Sequence, residues 1–217
     1  FELTHPNEQY QILEPDSAMG LYVQDNRNTI VKLALESGAD WLLQIDSDEE
    51  FTPTTLRLLM RSANKDDHQI ISGLYANVGT FIADGSFQMV DNIYGEDKEN
   101  GMYRFINPTH IGVQPFTVDA AGSGILLTHL SVFKKMEYPW FWLYEFQELT
   151  GKTRLMNEDI AFCRKARDLG YNIWCDPVVQ VTHWKNVPLL PAQFREFYAD
   201  AMKTKEMMEV KKRKKRK

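Results

Sequence analysis

The chain has 217 residues, of which 43% are hydrophobic and 25% charged, a composition that fits one globular domain with a sizeable core or two small ones. No apolar run approaches the roughly 20 residues that a transmembrane helix needs. The formal net charge is -5, but the last seven residues, KKRKKRK, are all basic, so the first 210 carry -12. Such an acidic body does not resemble a nucleic-acid-binding domain with a basic face.

The basic tail leaves several interpretations open. A short charge run of this kind is most often a disordered, solvated end or a cloning remnant. It can also contact an acidic partner, an acidic membrane surface or nucleic acid. The two cysteines, Cys163 and Cys175, form neither a CxxC nor a zinc pattern. We therefore expect free thiols in a reducing compartment and a cytoplasmic location.

In chain order, strand-like and helix-like segments alternate, which predicts an α/β fold. Residues 21–23 are a short strand candidate, and 28–37 have helical spacing with Gly38 as the stop. The apolar run 41–45 predicts a buried strand. A second helix is expected to begin with Thr52 as N-cap and Pro53 at its first helical position. Residues 69–76 predict another buried strand.

The second half continues the alternation. Residues 84–117 are polar and predict hairpins and loops, and 116–133 predict a strand interrupted by a small-residue turn. A helix is expected at 157–170, with Asn157 as cap and Gly170 as stop. Residues 171–184 predict two short strands broken at Asp176-Pro177, and 191–210 a helix. Without repeats or a Gly/Ser linker, we expect one domain over 1–190 and a C-terminal helix with the basic tail over 191–217.

The first candidate site is Asp46-Ser47-Asp48, which directly follows a buried apolar run. Ligands of open α/β sheets bind outside the carboxyl ends of strands, where this triplet falls. Oxygen ligands in an exposed turn suit Mg²⁺ or Mn²⁺, particularly a cation also held by a phosphate. The alternative is an acidic turn before a helix. In both interpretations we expect Glu49 and Glu50 to serve the N-terminus of the following helix.

Three further features have a structural alternative beside a functional one. Glu158 and Asp159 complement a helix N-terminus, and a carboxylate there can also act as a general base. His183 ends an apolar run, where a hydrogen-bonded structural histidine is more typical than a metal ligand. Gly122-Ser123-Gly124 either lets the backbone approach a sugar or phosphate, or forms a tight turn.

The segment YPWFWLYEF at 138–146 holds six aromatic residues. Aromatic faces stack on sugars and bases. A core cluster or a contact between copies of the chain explains them equally well, so a homo-oligomer stays open.

Taken together, the order of these motifs resembles the GT-A-fold glycosyltransferases, and within them the family 2-like group of bacterial and phage type. Three stretches carry the resemblance: NRNTIVKLALESGADWLLQIDSDEEF (26–51), VDAAGSGILLTHLSVF (118–133) and NEDIAFCRKARDLGYNIWCDPVVQVTHW (157–184). It implies a Rossmann-like α/β/α sandwich with a mixed, mostly parallel sheet. The resemblance covers roughly residues 20–185, and only about 20 residues precede it, so the first βα unit is expected to be short or missing.

The resemblance also implies roles for individual residues. Asp48 would bind Mn²⁺ or Mg²⁺, His183 would complete the metal site, and Asp46 would contact the ribose or a metal-bound water. Asp159 matches the base of inverting members, with Glu158 orienting acceptor or base. The donor is expected to contact a set from three segments: Arg27, Asp46, Ser47, Gly122, Ser123 and Gly124.

The implied function is transfer of a sugar from a nucleotide-sugar donor, expected to be a UDP- or GDP-sugar, to an acceptor hydroxyl, with inversion. The QxxRW signature is absent, which argues against a processive polymer synthase. Two alternatives remain: a non-catalytic nucleotide- or carbohydrate-binding module with this fold, and a phage-type glycosyltransferase acting on DNA bases.

Overall fold

The computed structural model describes residues 11–13, 16–81, 87–106, 111–147 and 151–185. These residues divide into two units. The first holds the described residues up to Asn77 and those of Asp91–Trp184, and the second holds those of Val78–Val90 together with Lys185. The predicted boundary between 1–190 and 191–217 stays a prediction. The helix predicted at 191–210 and the basic tail lie outside the described residues.

Four helices and fourteen strands occur in the described part of the chain. The helices are α1 (Val23–Ser37), α2 (Thr55–Ser62), α3 (Leu130–Lys135) and α4 (Glu158–Asp168). The strands of the first half are β1 (Trp41–Ile45), β2 (Glu49–Glu50), β3 (Ile70–Leu74), β4 (Ala76–Phe81), β5 (Phe87–Asp91), β6 (Ile93–Asp97) and β7 (Met102–Phe105). Those of the second half are β8 (Phe116–Val118), β9 (Ala120–Ala121), β10 (Ile125–His129), β11 (Tyr144–Gln147), β12 (Thr153–Met156), β13 (Ile173–Gln180) and β14 (Thr182–His183).

The main sheet of the first unit has five strands in the order β1-β10-β3-β13-β8. Among these strands only β3 and β13 pair in parallel. Strand β10 is antiparallel to both β1 and β3, and β8 is antiparallel to β13. The mixed α/β fold with a mixed sheet is therefore confirmed, but the prediction of a mostly parallel sheet is wrong.

The reason for this difference lies in the connections. Strands β1, β3 and β13 run in one direction, and each follows a helix. Strands β8 and β10 run in the other direction, and no helix separates them. Antiparallel neighbours need no crossover helix, whereas parallel neighbours do. Because β10 inserts between β1 and β3, the alternation of strands and helices did not reveal which strands pair.

Two apolar clusters pack against this sheet. The larger one joins Val31 of α1 and Phe162 of α4 with Leu126 of β10, all fully buried. The smaller one joins Leu59 of α2 with Leu127. Adjacent residues of β10 thus point to different clusters, as the pleat of a strand requires. The sandwich and Rossmann-like details of the expected fold stay predictions.

Several element boundaries agree with the sequence-based expectations. Strand β1 has the predicted bounds, and Gly38 ends α1 in the left-handed region at φ 76°. Helix α4 lies within the predicted range, and Gly170 follows it at φ 90°. Asn157 occupies the N-cap position, but its side chain makes no capping hydrogen bond. The predicted position of the cap is therefore correct, but the predicted side-chain hydrogen bond is not formed.

Three predicted boundaries are wrong. Residues 21–23 form no strand, since α1 begins at Val23, where Asp25 in the first turn complements the helix N-terminus. Helix α2 begins at Thr55 with Thr54 in the N-cap position, and Thr52 lies in the turn before it, where its N–H donates to the Thr55 hydroxyl (3.1 Å). Strand β13 continues through the predicted break at Asp176-Pro177. A register irregularity between Cys175 and Gln180 accommodates the missing proline N–H.

The aromatic segment 138–146 serves partly as core. Trp140 and Phe141 are buried, and the Phe141 ring stacks on Phe162 with centroids 4.7 Å apart. Trp142 and Tyr144 remain 57% and 46% exposed. Trp140 and Phe141 are therefore core residues, and stacking on a sugar stays a prediction for Trp142 and Tyr144.

Both cysteines are free and buried. Burial raises the pKa of each thiol to about 12, which makes them inert near neutral pH. No helix in the described ranges is long and apolar enough to cross a membrane.

The GSG turn has a steric reason for its glycines. A Cβ on Gly122 would collide with the Tyr75 hydroxyl, and a Cβ on Gly124 would lie 2.8 Å from the same oxygen. The Gly124 N–H donates to that hydroxyl (3.2 Å). The backbone of the turn thus packs against the ring of Tyr75, the residue that follows β3.

We expect Gly122→Ala to lower the free energy of unfolding by about 1–3 kcal/mol, because the buried Tyr75 ring must shift to admit a methyl group. Gly112→Ala is the matched control, since nothing lies within 4 Å of the position that its methyl group would take and its backbone needs no glycine. That variant should change stability by less than about 1 kcal/mol. Urea unfolding followed by circular dichroism measures both, and equal effects of the two variants would contradict the close packing at Gly122.

Candidate active site

Arg27 connects three of the segments that the sequence singled out. Its Nη2 lies 3.0 Å from Asp46 Oδ2 and its Nε lies 3.2 Å from Glu158 Oε1. Its Nη1 donates to the Ser123 carbonyl (3.1 Å). The residue is only 8% exposed. Burial alone would lower the pKa of Arg27, but the two carboxylates outweigh burial and raise it above its ordinary value.

This network fixes the carboxyl end of β1. The Asp46 N–H donates to the Gly124 carbonyl (2.9 Å), which extends the β1–β10 ladder to the GSG turn. The Asp46 carboxylate, 36% exposed, faces Arg27. Ser47 is exposed at the following turn. The structure thus brings Arg27, Asp46 and Ser123 together, and it leaves Ser47 at the surface beside them.

Asp48 and His183 meet because β2 and β14 pair. Glu49 lies opposite His183 in that antiparallel pair, and the Trp184 N–H donates to the Asp48 carbonyl (2.8 Å). His183 Nε2 is then 3.2 Å from Asp48 Oδ2. His183 Nδ1 lies 3.2 Å from the Ala76 carbonyl, so this nitrogen carries a hydrogen. The side chain of His183 is 6% exposed and that of Asp48 39%.

The donor set fits a divalent cation only in part. No group of three or more His, Cys, Asp or Glu side chains within the described ranges is arranged to hold a metal ion. Asp46, one of the three predicted ligands, is engaged by Arg27. Asp48 and His183 do converge and offer one oxygen and one nitrogen, both accepted by Mn²⁺. A cation held there needs ligands beyond these two, such as the oxygens of a diphosphate.

Glu158 and Asp159 open α4 and differ in environment. Glu158 is buried and paired with Arg27. Asp159 is half-buried, and its Oδ1 accepts the Ile160 N–H (2.7 Å). Burial and the adjacent Glu158 charge raise the pKa of Asp159 to about 6, while the Ile160 N–H and Arg27 act in the opposite direction. A carboxylate with a pKa near 6 is well matched to general-base catalysis near neutral pH.

The GSG turn is less open than the sequence implied. Gly122, Ser123 and Gly124 are all buried, and Ser123 Oγ has no hydrogen-bond partner within the described residues. The glycines are explained by the packing of Tyr75. A contact between this turn and a donor sugar stays a prediction.

Two residues near this site were missed by sequence reasoning. Tyr75 is packed between the GSG turn and His183, and its ring meets the His183 ring edge-on with centroids 4.9 Å apart. Burial raises the pKa of Tyr75 far above its ordinary value, and the charges of Asp159, Asp46 and Glu49 raise it further. Nothing in the strand pattern of 69–76 distinguishes this tyrosine.

Glu49 is the second. It was expected to serve the following helix together with Glu50, and this is wrong, because both residues form β2. The Glu49 side chain is fully buried near His183, whereas Glu50 Oε2 accepts the Trp184 indole N–H (2.9 Å). No signal in the sequence indicates this short strand, because the acidic residues of DSDEEF do not alternate with apolar ones.

Comparison with known proteins supports the fold. No protein-family model matches the chain, and no curated protein matches it. Among solved structures the chain is similar to GalNAc-T7, determined with UDP, GalNAc and Mn²⁺, at a TM-score of 0.51 and 14% identity. The match covers 76% of this chain and 31% of GalNAc-T7. It is also similar to A197 from STIV at a TM-score of 0.46 and 14% identity over 76% of this chain and 69% of that protein, a score too low to show a shared fold.

At this identity the similarity to GalNAc-T7 concerns the fold alone. The aligned region corresponds to less than a third of the GalNAc-T7 chain. The chain thus has a mixed α/β fold with a structural neighbour of the GT-A glycosyltransferase type.

Proposed function

We propose that this chain is a metal-dependent glycosyltransferase that moves a sugar from a nucleotide-sugar donor to an acceptor hydroxyl. The observation that carries the proposal is the convergence of Asp48 and His183, 3.2 Å apart, beside the Arg27–Asp46 pair. Both pairs lie where β1 ends, and ligands of α/β sheets bind at such strand ends. The GT-A-type neighbour, which was solved with UDP and Mn²⁺, supports the same class of ligand.

Asp48 and His183 are the residues that would hold Mn²⁺ or Mg²⁺. When bound, the cation supplies charge stabilisation for the leaving diphosphate. Because Arg27 keeps Asp46 in a fixed orientation, the Asp46 carboxylate is available to orient the ribose of the donor through its exposed side. The expected donor is a UDP- or GDP-sugar.

Asp159 is the proposed base. Its carboxylate would accept the proton of the acceptor hydroxyl as that oxygen attacks the anomeric carbon and the bond from that carbon to the diphosphate oxygen breaks. Attack opposite the leaving group inverts the anomeric centre. Glu158 is held by Arg27 and would keep the start of α4, and hence Asp159, in place.

The test is release of nucleoside diphosphate from a panel of UDP- and GDP-sugars by the purified protein with Mn²⁺. We expect release with at least one donor, loss of release in EDTA, and a decrease of about a hundredfold in Asp48→Ala. Asp40→Ala is the matched control, since Asp40 is an exposed aspartate next to the other end of β1, and it should retain wild-type release.

Turnover that persists in EDTA, or that is equal in Asp48→Ala and the wild type, would refute the proposal. Nucleotide binding without any turnover would instead favour a non-catalytic binding module.

Asp159→Asn tests the base and its pKa. We expect the rate of nucleotide release to fall about 10²–10⁴-fold with little change in the KM of the donor. In the wild type, kcat/KM should decrease as the pH falls through about 6, because the carboxylate becomes protonated. The pH–rate profile with a fixed donor measures this.

The effect of Asp159→Asn on thermal stability distinguishes the raised pKa of Asp159 from a helix-capping role, because the two predict changes of opposite sign in the melting temperature. A carboxyl whose pKa is raised from 3.8 to about 6 contributes stability below its ordinary pKa, and this contribution is lost as the pH rises through about 6. Asp159→Asn should therefore melt at a higher temperature than the wild type at pH 7.5, with the difference gone at pH 4. A lower melting temperature at pH 7.5 would show that Asp159 mainly stabilises the helix.

A further inference from the structure

Two aromatic side chains are exposed in the segment that leads into the candidate base. Trp142 is 57% exposed and Tyr144 46%. Exposed apolar side chains that cluster, unlike isolated ones, indicate a surface that contacts a ligand or a partner. Their place in the fold decides between these two roles.

The backbone before Trp142 is held rigidly. The buried Asn28 side chain accepts hydrogen bonds from the Trp140 and Phe141 N–H groups (3.1 Å each) and donates to the Phe141 carbonyl (2.8 Å). The Trp140 indole N–H in turn donates to the Phe133 carbonyl (2.9 Å). Trp142 thus extends from a fixed backbone, and an aromatic side chain held in this way loses little conformational entropy when it contacts a ligand.

Trp142 directly follows a residue that packs against the start of α4. The Phe141 ring stacks on Phe162, which lies one helical turn after Glu158. The Arg27 guanidinium carbon lies 5.9 Å from the centroid of the Phe141 ring, and its Nε donates to Glu158. Trp142 therefore borders the Arg27–Glu158 pair.

The hairpin of β11 and β12 continues this border toward Asp159. Tyr144 lies opposite Met156 in the hairpin, and Asn157 alone separates Met156 from α4. Arg164 of α4 lies over the Tyr144 ring, with its guanidinium carbon 5.8 Å from the ring centroid. The two exposed aromatic residues thus lie beside the N-terminal half of α4, whose second residue is the proposed base.

We propose that the acceptor is a carbohydrate, and that an acceptor sugar ring stacks on Trp142, together with Tyr144, while its hydroxyl faces Asp159. This inference rests on the proposed function. A sugar ring combines a flat C–H face, which an aromatic ring can cover, with hydroxyl groups that donate to carboxylates. An exposed flat ring suits such an occupant, whereas an apolar peptide side chain binds in an enclosed pocket. The acidic body of the chain disfavours a nucleic-acid acceptor.

The experiment is a titration of the full chain, in buffer with UDP and Mn²⁺, with maltose, cellobiose, lactose and N,N′-diacetylchitobiose, followed by saturation-transfer NMR. We expect at least one disaccharide to bind, and Trp142→Ala to weaken its binding about five- to tenfold. Leu155→Ala is the matched control, because Leu155 is 57% exposed on the same hairpin. It lies opposite Glu145 and not in the Tyr144–Met156 pair, hence on the other face, and its loss should change the affinity less than about twofold.

Two further variants separate stacking from general apolar contact. Trp142→Leu keeps an apolar side chain without a ring face, and it should lose as much affinity as Trp142→Ala. Trp142→Phe keeps a ring face, and its affinity should stay within about threefold of the wild type. Thermal unfolding checks that each variant is folded. If Trp142→Ala does not fold, Tyr144→Ala serves in its place and should weaken binding about two- to fivefold.

Several results would overturn the inference and leave the proposed function intact. They are the absence of binding for every disaccharide, wild-type affinity in Trp142→Ala, and equal losses in Trp142→Ala and Leu155→Ala. Binding of a peptide that contains serine and threonine, in place of any saccharide, would assign the acceptor to protein. A wild-type dimer that dissociates in Trp142→Ala in sedimentation would assign the surface to a contact between copies of the chain.

Failure of the proposed function has a different signature. If disaccharide binding depends on Trp142 but no nucleoside diphosphate is released from any donor, the acceptor role is overturned together with the proposed function. The chain would then be a carbohydrate-binding module.

Discussion

The buried guanidinium of Arg27 is the interaction on which the candidate site depends. It contacts the end of β1 through Asp46, the start of α4 through Glu158 and the GSG turn through the Ser123 carbonyl. These partners come from distant parts of the sequence, so a single side chain of α1 fixes their relative positions. Removing one member of a buried charge pair costs about 3–5 kcal/mol, because the remaining charge stays buried. The end of β1, on the donor side of the proposed site, and the start of α4, on the acceptor side, are thereby kept at a fixed distance from each other.

This constraint also explains how the acidic stretch DSDEE is tolerated at the end of an apolar strand. Each of its carboxylates has a neighbour that offsets or accommodates its charge: Arg27 for Asp46, His183 for Asp48 and for Glu49, and the Trp184 indole for Glu50. Negative charge is thus distributed over an ion pair with Arg27, the contacts of Asp48 and Glu49 with His183, and a surface hydrogen bond. A divalent cation between Asp48 and His183 would compensate the charge of Asp48 further.

Local features were predictable and long-range pairings were not. The bounds of β1, the stop at Gly38 and the place of α4 follow from apolar runs and terminal residues that act within a few positions. The insertion of β10 between β1 and β3 and the pairing of β2 with β14 depend on contacts between distant segments. Neither periodicity nor capping encodes such contacts. The inward position of Glu49 followed from the second pairing, which is why it was assigned to the wrong element.

The most direct test of the central claim is the position of Mn²⁺ in crystals of the protein grown with UDP and Mn²⁺, located by anomalous scattering. We predict one strong peak in bonding contact with both Asp48 Oδ2 and His183 Nε2 and with the UDP diphosphate, next to the undisturbed Arg27–Asp46 pair. A Mn²⁺ ion bound away from Asp48 and His183, or UDP bound away from the end of β1, would contradict it.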